Sequence, residues 1–289
     1  MTPPAPQPAP APQPTPPGLR TVQVTLTVAG RPLNVRVDVP TAPIPPAELL
    51  PFYRALVDSL VKASTKLGAG AGRSVSCRQG CAHCCRQLVP VSALEARELM
   101  KRVEQMPEPL RSRVKARFVE ARRRLEAEAP ELMSRMLYPN DYPGEPPAPI
   151  AHAYYRLRID CPFLENEACT IHAERPVACR QIVVSSPPEH CAELSPQVRP
   201  FDVVGGPAFP WMPAVERTPG GRFVEYLALV LAPEFLEKHP EEPAPRAGTE
   251  WLSEFLARMQ QRGTWSNPGA RPAPAGPAPA AASAPPPRS

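Results

Sequence analysis

Eight cysteines are the residues of this chain whose type and spacing could do chemistry. They form two groups, Cys77, Cys81, Cys84 and Cys85, followed by Cys161, Cys169, Cys179 and Cys191. Two residues separate Cys81 from Cys84, a gap that lets two sulfur atoms of one turn bind one metal ion at about 2.3 Å. Because a reducing cytosol disfavours structural disulfides, this many thiols favours metal binding.

The second group is too widely spaced to build a compact tetrahedral site from its own turns. Seven, nine and eleven residues separate its successive cysteines, so we expect the two groups to share ligands. Adjacent side chains diverge, so the pair Cys84 and Cys85 favours two sites, or one polynuclear cluster with spare thiols. The cysteines expected in one compact region are Cys81, Cys84, Cys161, Cys169 and Cys179, whereas Cys77, Cys85 and Cys191 are either spare or part of a second site.

The identity of the metal stays open at this point, because four thiolates suit zinc and iron–sulfur clusters alike. Arginines stand close to the cysteines, at Arg78, Arg86, Arg175 and Arg180. A nearby cation favours the thiolate over the thiol and lowers its pKa. We therefore expect Arg175 and Arg180 to surround the ligands. His83 and His172 fall inside the motifs, and we expect them beside the ligands or on the surface.

These motifs resemble those of the YkgJ-type cysteine-cluster family. The matching segments are Cys81-Ala82-His83-Cys84-Cys85 with the capped helix of Glu95, Cys161-Pro162-Phe163-Leu164, Cys169-Thr170-Ile171-His172 and Arg175-Pro176-Val177-Ala178-Cys179-Arg180. The resemblance covers roughly residues 75 to 192 and implies a zinc- or iron-chelating domain whose ligands are these cysteines. A flagellin lysine methylase is similar in its cysteine motif, which leaves a catalytic role open. The family often has tyrosine where His172 stands.

The elements that must position the cysteines are mainly helical. Alternating apolar residues predict a β-hairpin over residues 19–40, and helical spacing predicts helices over 46–67 and 107–129. Ser92-Ala93-Leu94-Glu95 has the form of a capping box, which begins another helix. Six prolines predict an irregular crossing over 130–150. Two C-terminal helices are predicted from Phe223, Tyr226, Leu227, Val230 and Leu231 and from Trp251, Leu252, Phe255, Leu256 and Met259.

The chain is rich in proline, with 46 among 289 residues, and the excess is concentrated at the two ends. We expect disordered tails at 1–18 and 264–289 around a single folded body at 19–263. Within that body we expect the hairpin at 19–40, an irregular cysteine-rich metal-binding core at 75–192 and the C-terminal helices at 200–263. The fold class is therefore mainly α with a small N-terminal β-hairpin.

Neither a secretory signal nor an apolar run of bilayer length is visible in the sequence, so we expect a cytoplasmic protein without a membrane partner. A net charge of +5 is too small to argue for nucleic acid by itself.

Three classes of function remain. The favoured one is a metal-binding protein with a structural or redox-active zinc or iron–sulfur cofactor and an unassigned role. The second is a metal-dependent enzyme, an oxidoreductase or a methylase-like protein-modifying enzyme, although the sequence names no catalytic residue. The third is a zinc-dependent nucleic-acid-binding module that uses the basic residues of helix 107–129, a role that we do not expect because glutamates accompany those residues.

Overall fold

The computed structural model describes residues 18–28, 31–78, 80–142, 147–192, 195–201, 203 and 226–261. Over these residues the protein is mainly helical with a small N-terminal hairpin, as predicted, and it has three further two-stranded antiparallel sheets that the sequence did not predict. The helices are α1 (Leu50–Gly70), α2 (Ala93–Glu104), α3 (Leu110–Glu128), α4 (Pro130–Leu137), α5 (Pro147–Arg156), α6 (Val177–Gln181), α7 (Glu189–Ala192), α8 (Ala232–Lys238) and α9 (Gly248–Gln261). The strands are β1 (Leu19–Val28), β2 (Arg31–Pro40), β3 (Pro43–Ile44), β4 (Pro90–Val91), β5 (Leu164–Glu165), β6 (Ala168–Cys169), β7 (Leu227–Ala228) and β8 (Arg246–Ala247).

The predicted N-terminal hairpin is confirmed. Strands β1 and β2 are antiparallel and pair from Leu19 opposite Pro40 to Val28 opposite Arg31. This register places Val24 opposite Val35 on one face, where Val24 is buried. The alternation of apolar and polar residues therefore gives the hairpin one face that packs on the body, where β2 contacts α9.

Helices α1 and α9 share one hydrophobic core with the hairpin, and both were predicted from helical spacing. Tyr53 of α1 stacks on Phe255 of α9 with ring centroids 4.3 Å apart. The indole nitrogen of Trp251 donates a hydrogen bond of 2.9 Å to the carbonyl of Ile44. Aromatic burial therefore joins elements that are far apart in the chain. Ile44 and Trp251 are 207 positions apart.

A second core lies under α2, α3, α4 and α8. Helix α3 buries Val114, Phe118, Ala121 and Leu125, the stripe expected for the predicted helix over 107–129. Phe118 meets Phe163 edge to face at 5.7 Å. Since Phe163 lies between Cys161 and Cys169, this core supports the second cysteine group directly.

Two predictions of secondary structure were wrong. Residues 130–150 were expected to be irregular, but Pro130 and Pro147 are the first residues of α4 and α5. Proline fits the first turn of a helix because its missing amide needs no partner there. The helix expected around 226–231 begins only at Ala232, because the preceding apolar residues form β7, which pairs with β4, and a 3-10 helix at Leu229–Leu231.

Segment 195–201 crosses the end of α1 near the cysteines. Phe201 packs so closely on Gly68 that a β-carbon at position 68 would overlap its ring. The guanidinium of Arg73 lies 4.5 Å from the centroid of the same ring and donates a hydrogen bond of 2.6 Å to the carbonyl of Pro200. This crossing holds the chain beyond Cys191 against the start of the first cysteine group.

The expected tails lie outside the described residues, apart from Gly18, and so does Phe223. No helix in the described ranges is both long and apolar enough to cross a membrane.

The predicted capping box is confirmed, and its glutamate makes a further contact. The hydroxyl of Ser92 accepts from the amide of Glu95, and the Glu95 carboxylate accepts from the amide and hydroxyl of Ser92, all at 3.2 Å. The other carboxylate oxygen accepts a hydrogen bond of 2.8 Å from the amide of Val177, the first residue of α6. Glu95 is fully buried. One carboxylate therefore caps the helix that follows the first cysteine group and the helix that carries Cys179.

Replacing Glu95 with alanine should destabilise the fold strongly. Glu95→Ala leaves the buried amides of Ser92 and Val177 without acceptors, and each unpaired group costs on the order of 1–3 kcal/mol. We expect the free energy of unfolding to fall by about 2–4 kcal/mol. Denaturant titration followed by circular dichroism measures this loss.

The matched control is Glu104→Ala, on the same helix, where the exposed carboxylate pairs only with Lys115. Surface pairs of this kind contribute about 0–1 kcal/mol. Equal stability losses in the two variants would contradict the bridging role of Glu95.

Candidate metal centre

The first cysteine group is shaped by tight turns. The amide of Cys81 donates to the carbonyl of Arg78 at 3.0 Å, and a 3-10 helix at His83–Arg86 carries Cys84 and Cys85. Gly80, in the turn between Arg78 and Cys81, has a φ of +81°, a left-handed conformation that glycine adopts without strain. These turns place Cys81, Cys84 and Cys85 within a few residues of one another on a short, curved segment.

The cysteines of the second group lie on separate parts of the fold. The amide of Cys161 donates a hydrogen bond of 2.8 Å to the carbonyl of Cys85, which joins the two groups through the backbone. Cys169 ends the small β5–β6 hairpin, and Cys179 lies in α6. Cys191 lies in α7, which contacts the 3-10 helix of the first group. Folding thus closes the interval between Cys85 and Cys161.

One cysteine neighbourhood combines both groups. Burial raises the pKa of Cys179 well above that of an ordinary thiol, and the charges of Cys161, Cys84 and Cys169 raise it further. Burial likewise raises the pKa of Cys161 to about 12, with Cys169 and Cys84 adding to the effect. The charges that act on Cys161 and Cys179 thus come from cysteines of both groups. The compact region expected from the sequence, which also includes Cys81, stays a prediction.

A second neighbourhood forms around Cys77, Cys81 and Cys191. Burial raises the pKa of Cys191, and the charges of Cys77, Cys81 and Cys84 add to this shift. The amide of Val184 donates to the sulfur of Cys77 at 3.4 Å. Cys77 is therefore among the thiols whose charge acts on Cys191, although the two are the first and last cysteines of the chain. The charge of Cys84 acts on thiols of both neighbourhoods.

The adjacent pair shares a proton. The thiol of Cys85 donates a hydrogen bond to the sulfur of Cys84, which lowers the pKa of Cys84 and raises that of Cys85. Arg175 also lowers the pKa of Cys84 through its charge. The first proton of this pair is therefore lost at lower pH than the proton of an ordinary thiol.

Arg175 and Arg180 lie in different surroundings. Burial raises the pKa of Cys169, and the charge of Arg175 opposes that shift. The expected place of Arg175 around the ligands stays a prediction. The guanidinium of Arg180 forms an ion pair of 2.6 Å with Asp58 of α1 and donates to the carbonyls of Ala173 and Arg175. The expectation that its charge faces the cysteines was wrong, because a carboxylate on a neighbouring helix attracts it more strongly.

His172 and Arg86 make polar contacts around the cysteines. The ring of His172 is exposed and lies 2.7 Å from the guanidinium of Arg175, whose charge lowers the pKa of the histidine. Arg86 pairs with Asp160 at 2.9 Å and with Glu167 at 2.7 Å. This clamp ties the first group to the residues around Cys161 and Cys169. Sequence reasoning missed the clamp, although two acidic residues close to cysteines of the second group offered a signal.

The donor set fits a thiophilic metal in its chemistry. All eight cysteines are free thiols, and seven of them are at least partly shielded from solvent. In the ranges that the structure describes, no three histidine, cysteine, aspartate or glutamate side chains converge closely enough to hold one ion as they stand. The backbone therefore joins the two cysteine groups at Cys161 and Cys85, but the described side chains do not form a closed site.

Comparison with known families agrees with this composition. Residues 76–193 match the family model CxxCxxCC, described as “Putative zinc- or iron-chelating domain”. The matched region contains all eight cysteines and confirms the resemblance noted from the motifs. Zinc and iron are also the metals expected from the thiols. Neither a curated protein nor a solved structure gives a significant match to the chain.

Alkylation of the metal-free protein should distinguish the thiols. At pH 7 we expect iodoacetamide to modify Cys84 at least about ten times faster than Cys161 or Cys179, because the lowered pKa of Cys84 leaves more of it as the reactive thiolate. The rate at Cys84 should fall as the pH drops below its pKa. Peptide mass spectrometry measures modification at each cysteine.

Arg175→Ala should slow modification of Cys84 by removing the cation that favours its thiolate. Arg156→Ala, which removes an exposed arginine from α5, is the matched control and should leave the rate unchanged. Faster modification of Cys161 than of Cys84 would show that the proton is shared differently.

Proposed function

We propose that the protein binds zinc or iron–sulfur clusters in two four-cysteine sites. One site contains Cys77, Cys81, Cys84 and Cys191, and the other contains Cys85, Cys161, Cys169 and Cys179. The observation that carries this proposal is the approach of the second group to the Cys84–Cys85 segment. The amide of Cys161 donates to the carbonyl of Cys85 at 2.8 Å, and α7, which contains Cys191, contacts the 3-10 helix that contains Cys84 and Cys85. Because adjacent side chains diverge, this segment is suited to supply one ligand to each site.

The division gives each site a coherent ligand set. Cys81 and Cys84 provide the two-residue knuckle of the first site, which Cys77 and Cys191 complete. Cys85 is the first-group ligand of the second site, and the charges of Cys161 and Cys169 already raise its pKa. Four thiolates around zinc carry a formal charge of about −2. The cation of Arg175 near Cys84 and Cys169 offsets part of this charge.

A bound zinc ion would fix the four segments of each site, and an iron–sulfur cluster would in addition carry an electron. Before zinc or a cluster binds, some of the thiols that would hold it are protonated. Burial keeps Cys161 and Cys179 protonated in the metal-free protein, so binding must release their protons to solvent. The Arg86 clamp and the Glu95 bridge keep the two groups together in the metal-free protein.

The basic residues of α3 do not favour binding of nucleic acid. In α3 the basic side chains lie within 4 Å of carboxylates: Arg111 with Glu108, Arg113 and Arg117 with Glu165, Lys115 with Glu104, Arg122 with Glu126, Arg123 with Glu120 and Arg124 with Glu128. Phosphate contacts need cations that are free to neutralise the phosphates. The helix surface is instead an ion-paired one.

Metal analysis of protein purified without oxygen tests the proposal. We expect two equivalents of zinc in colourless protein, or stoichiometric iron and sulfide in brown protein that absorbs broadly near about 400 nm. Cys191→Ser should remove metal from the first site and Cys161→Ser from the second, each lowering the metal content by about half.

His172→Gln is the control, because its exposed ring pairs with Arg175, and it should retain all the metal. Circular dichroism confirms that the serine variants are folded. Full metal content in both serine variants would overturn the two-site assignment, and absence of zinc and iron from the unmodified protein would overturn the function.

Metal removal should loosen the cysteine region selectively. Structural zinc contributes an apparent binding free energy of about 10–16 kcal/mol in small domains. The hairpin, α1 and α9 instead share a core built around Tyr53, Trp251 and Phe255, to which Leu94 of α2 and Val177 of α6 also belong. After chelation we expect faster amide hydrogen exchange at 76–92 and 161–192 and little change in α9. Equal changes in both regions, measured by mass spectrometry, would mean that the metal supports the whole fold.

A further inference from the structure

A cavity of about 490 Å³ opens beside the first cysteine group. Its size falls within the range of about 300–1,000 Å³ that is typical of pockets for small molecules. The polar side chains of its wall include Ser186, His190, Gln197 and Arg199. The metal-binding proposal uses none of these residues.

The wall of this cavity is continuous with the cysteines. His190 directly precedes Cys191. The hydroxyl of Ser76, the neighbour of Cys77, donates to the carbonyl of Ser186. The amide of Val184 donates to the sulfur of Cys77. A molecule in the cavity would therefore lie next to the first proposed metal site.

Arg199 is a cation whose guanidinium has no partner among the described residues. Its backbone is held in place, since its amide donates to the Ser186 hydroxyl at 3.1 Å and its carbonyl accepts from the amide of Ser185 at 2.9 Å. Its guanidinium makes no hydrogen bond, ion pair or ring contact with any residue that the structure describes. This differs from the arginines of α3, which are paired with glutamates. With respect to the part of the chain that the structure describes, the cavity wall thus presents an unpaired positive charge.

Further polar groups lack partners at the same place. Nδ1 of His190 is buried without a hydrogen bond. Ser186 is only 4 % exposed, and its hydroxyl accepts from Arg199 while its own hydrogen has no acceptor among the described residues. The described lining contains no aspartate or glutamate. Such a wall is complementary to an anion, whose oxygens accept from guanidinium, hydroxyl and amide groups.

We propose that this cavity binds a small organic anion, a phosphate ester or a carboxylic acid, next to the first metal site. Arg199 and Ser186 hold the anionic group, and Gln197 donates from its amide. The apolar rings of Pro187 and Pro196 cover the organic part. The position beside a metal centre rests on the proposed function, whereas the anion-binding wall is defined by its own side chains.

Calorimetric titration of the full, metal-loaded chain tests this inference. The probes are phenyl phosphate and benzoate, with phenol as the uncharged comparison, at constant ionic strength. We expect saturable binding of at least one anion and none of phenol. The preferred anion shows which of the two classes the site takes.

Arg199→Gln should weaken binding by about tenfold or more, since charge-assisted hydrogen bonds are lost. Gln197→Ala should weaken it less, and both side chains are exposed, so the variants should fold. Arg20→Gln, an exposed arginine of β1, is the control with the same change of charge and should bind normally. Unchanged affinity in Arg199→Gln, or no saturable binding of either anion, would overturn the inference.

Metal content is measured on the same samples. Anion binding to a chain that takes up no metal would refute the metal sites and leave the anion pocket standing. Full metal content without anion binding would refute the pocket alone.

Discussion

Glu95 accepts hydrogen bonds on both carboxylate oxygens from the starts of two different helices. Helix α2 begins just after the first cysteine group, and α6 contains Cys179. The Glu95 carboxylate therefore holds the start of α2 next to the start of α6, and with them the two cysteine groups, in the metal-free protein. Burial raises the pKa of Glu95, while the donors of Val177 and Ser92 oppose that shift. The carboxyl group is stable in the interior only because both helix starts supply donors, so each half of the contact requires the other.

Much of the fold could be predicted from local pattern. The valines of the hairpin alternate, and the stripe of Val114, Phe118 and Leu125 has helical spacing, so each element shows its buried face in the sequence. The irregular structure predicted around Pro130 and Pro147 was wrong, because proline breaks a helix interior but suits a first turn. The helix predicted at 227–231 was also wrong, because a segment that is buried on all sides has no polar face to reveal its period.

The candidate site was predictable in its composition and less so in its arrangement. The types of the residues indicated metal binding, and the wide spacing of the second group indicated shared ligands. The proposed pairing of Cys77 with Cys191 involves the chain just before segment 195–201, which packs on α1 at Gly68, and no local spacing encodes that contact. The direction of Arg180 was equally hidden, because it depends on Asp58, which is 122 residues away in the chain. Sequence separation gives no measure of such electrostatic competition.

The contact between Gly68 and Phe201 bears on how the sequence can change over evolutionary time. A side chain at position 68 would collide with the aromatic ring, and the ring itself is held under Arg73. Neither position can vary alone without moving the crossing segment away from the cysteines. Among homologues with this architecture, glycine at 68 and an aromatic residue at 201 should be inherited as a pair. Lineages that lose one should also show a compensating change at the other, or a different path for the chain between them.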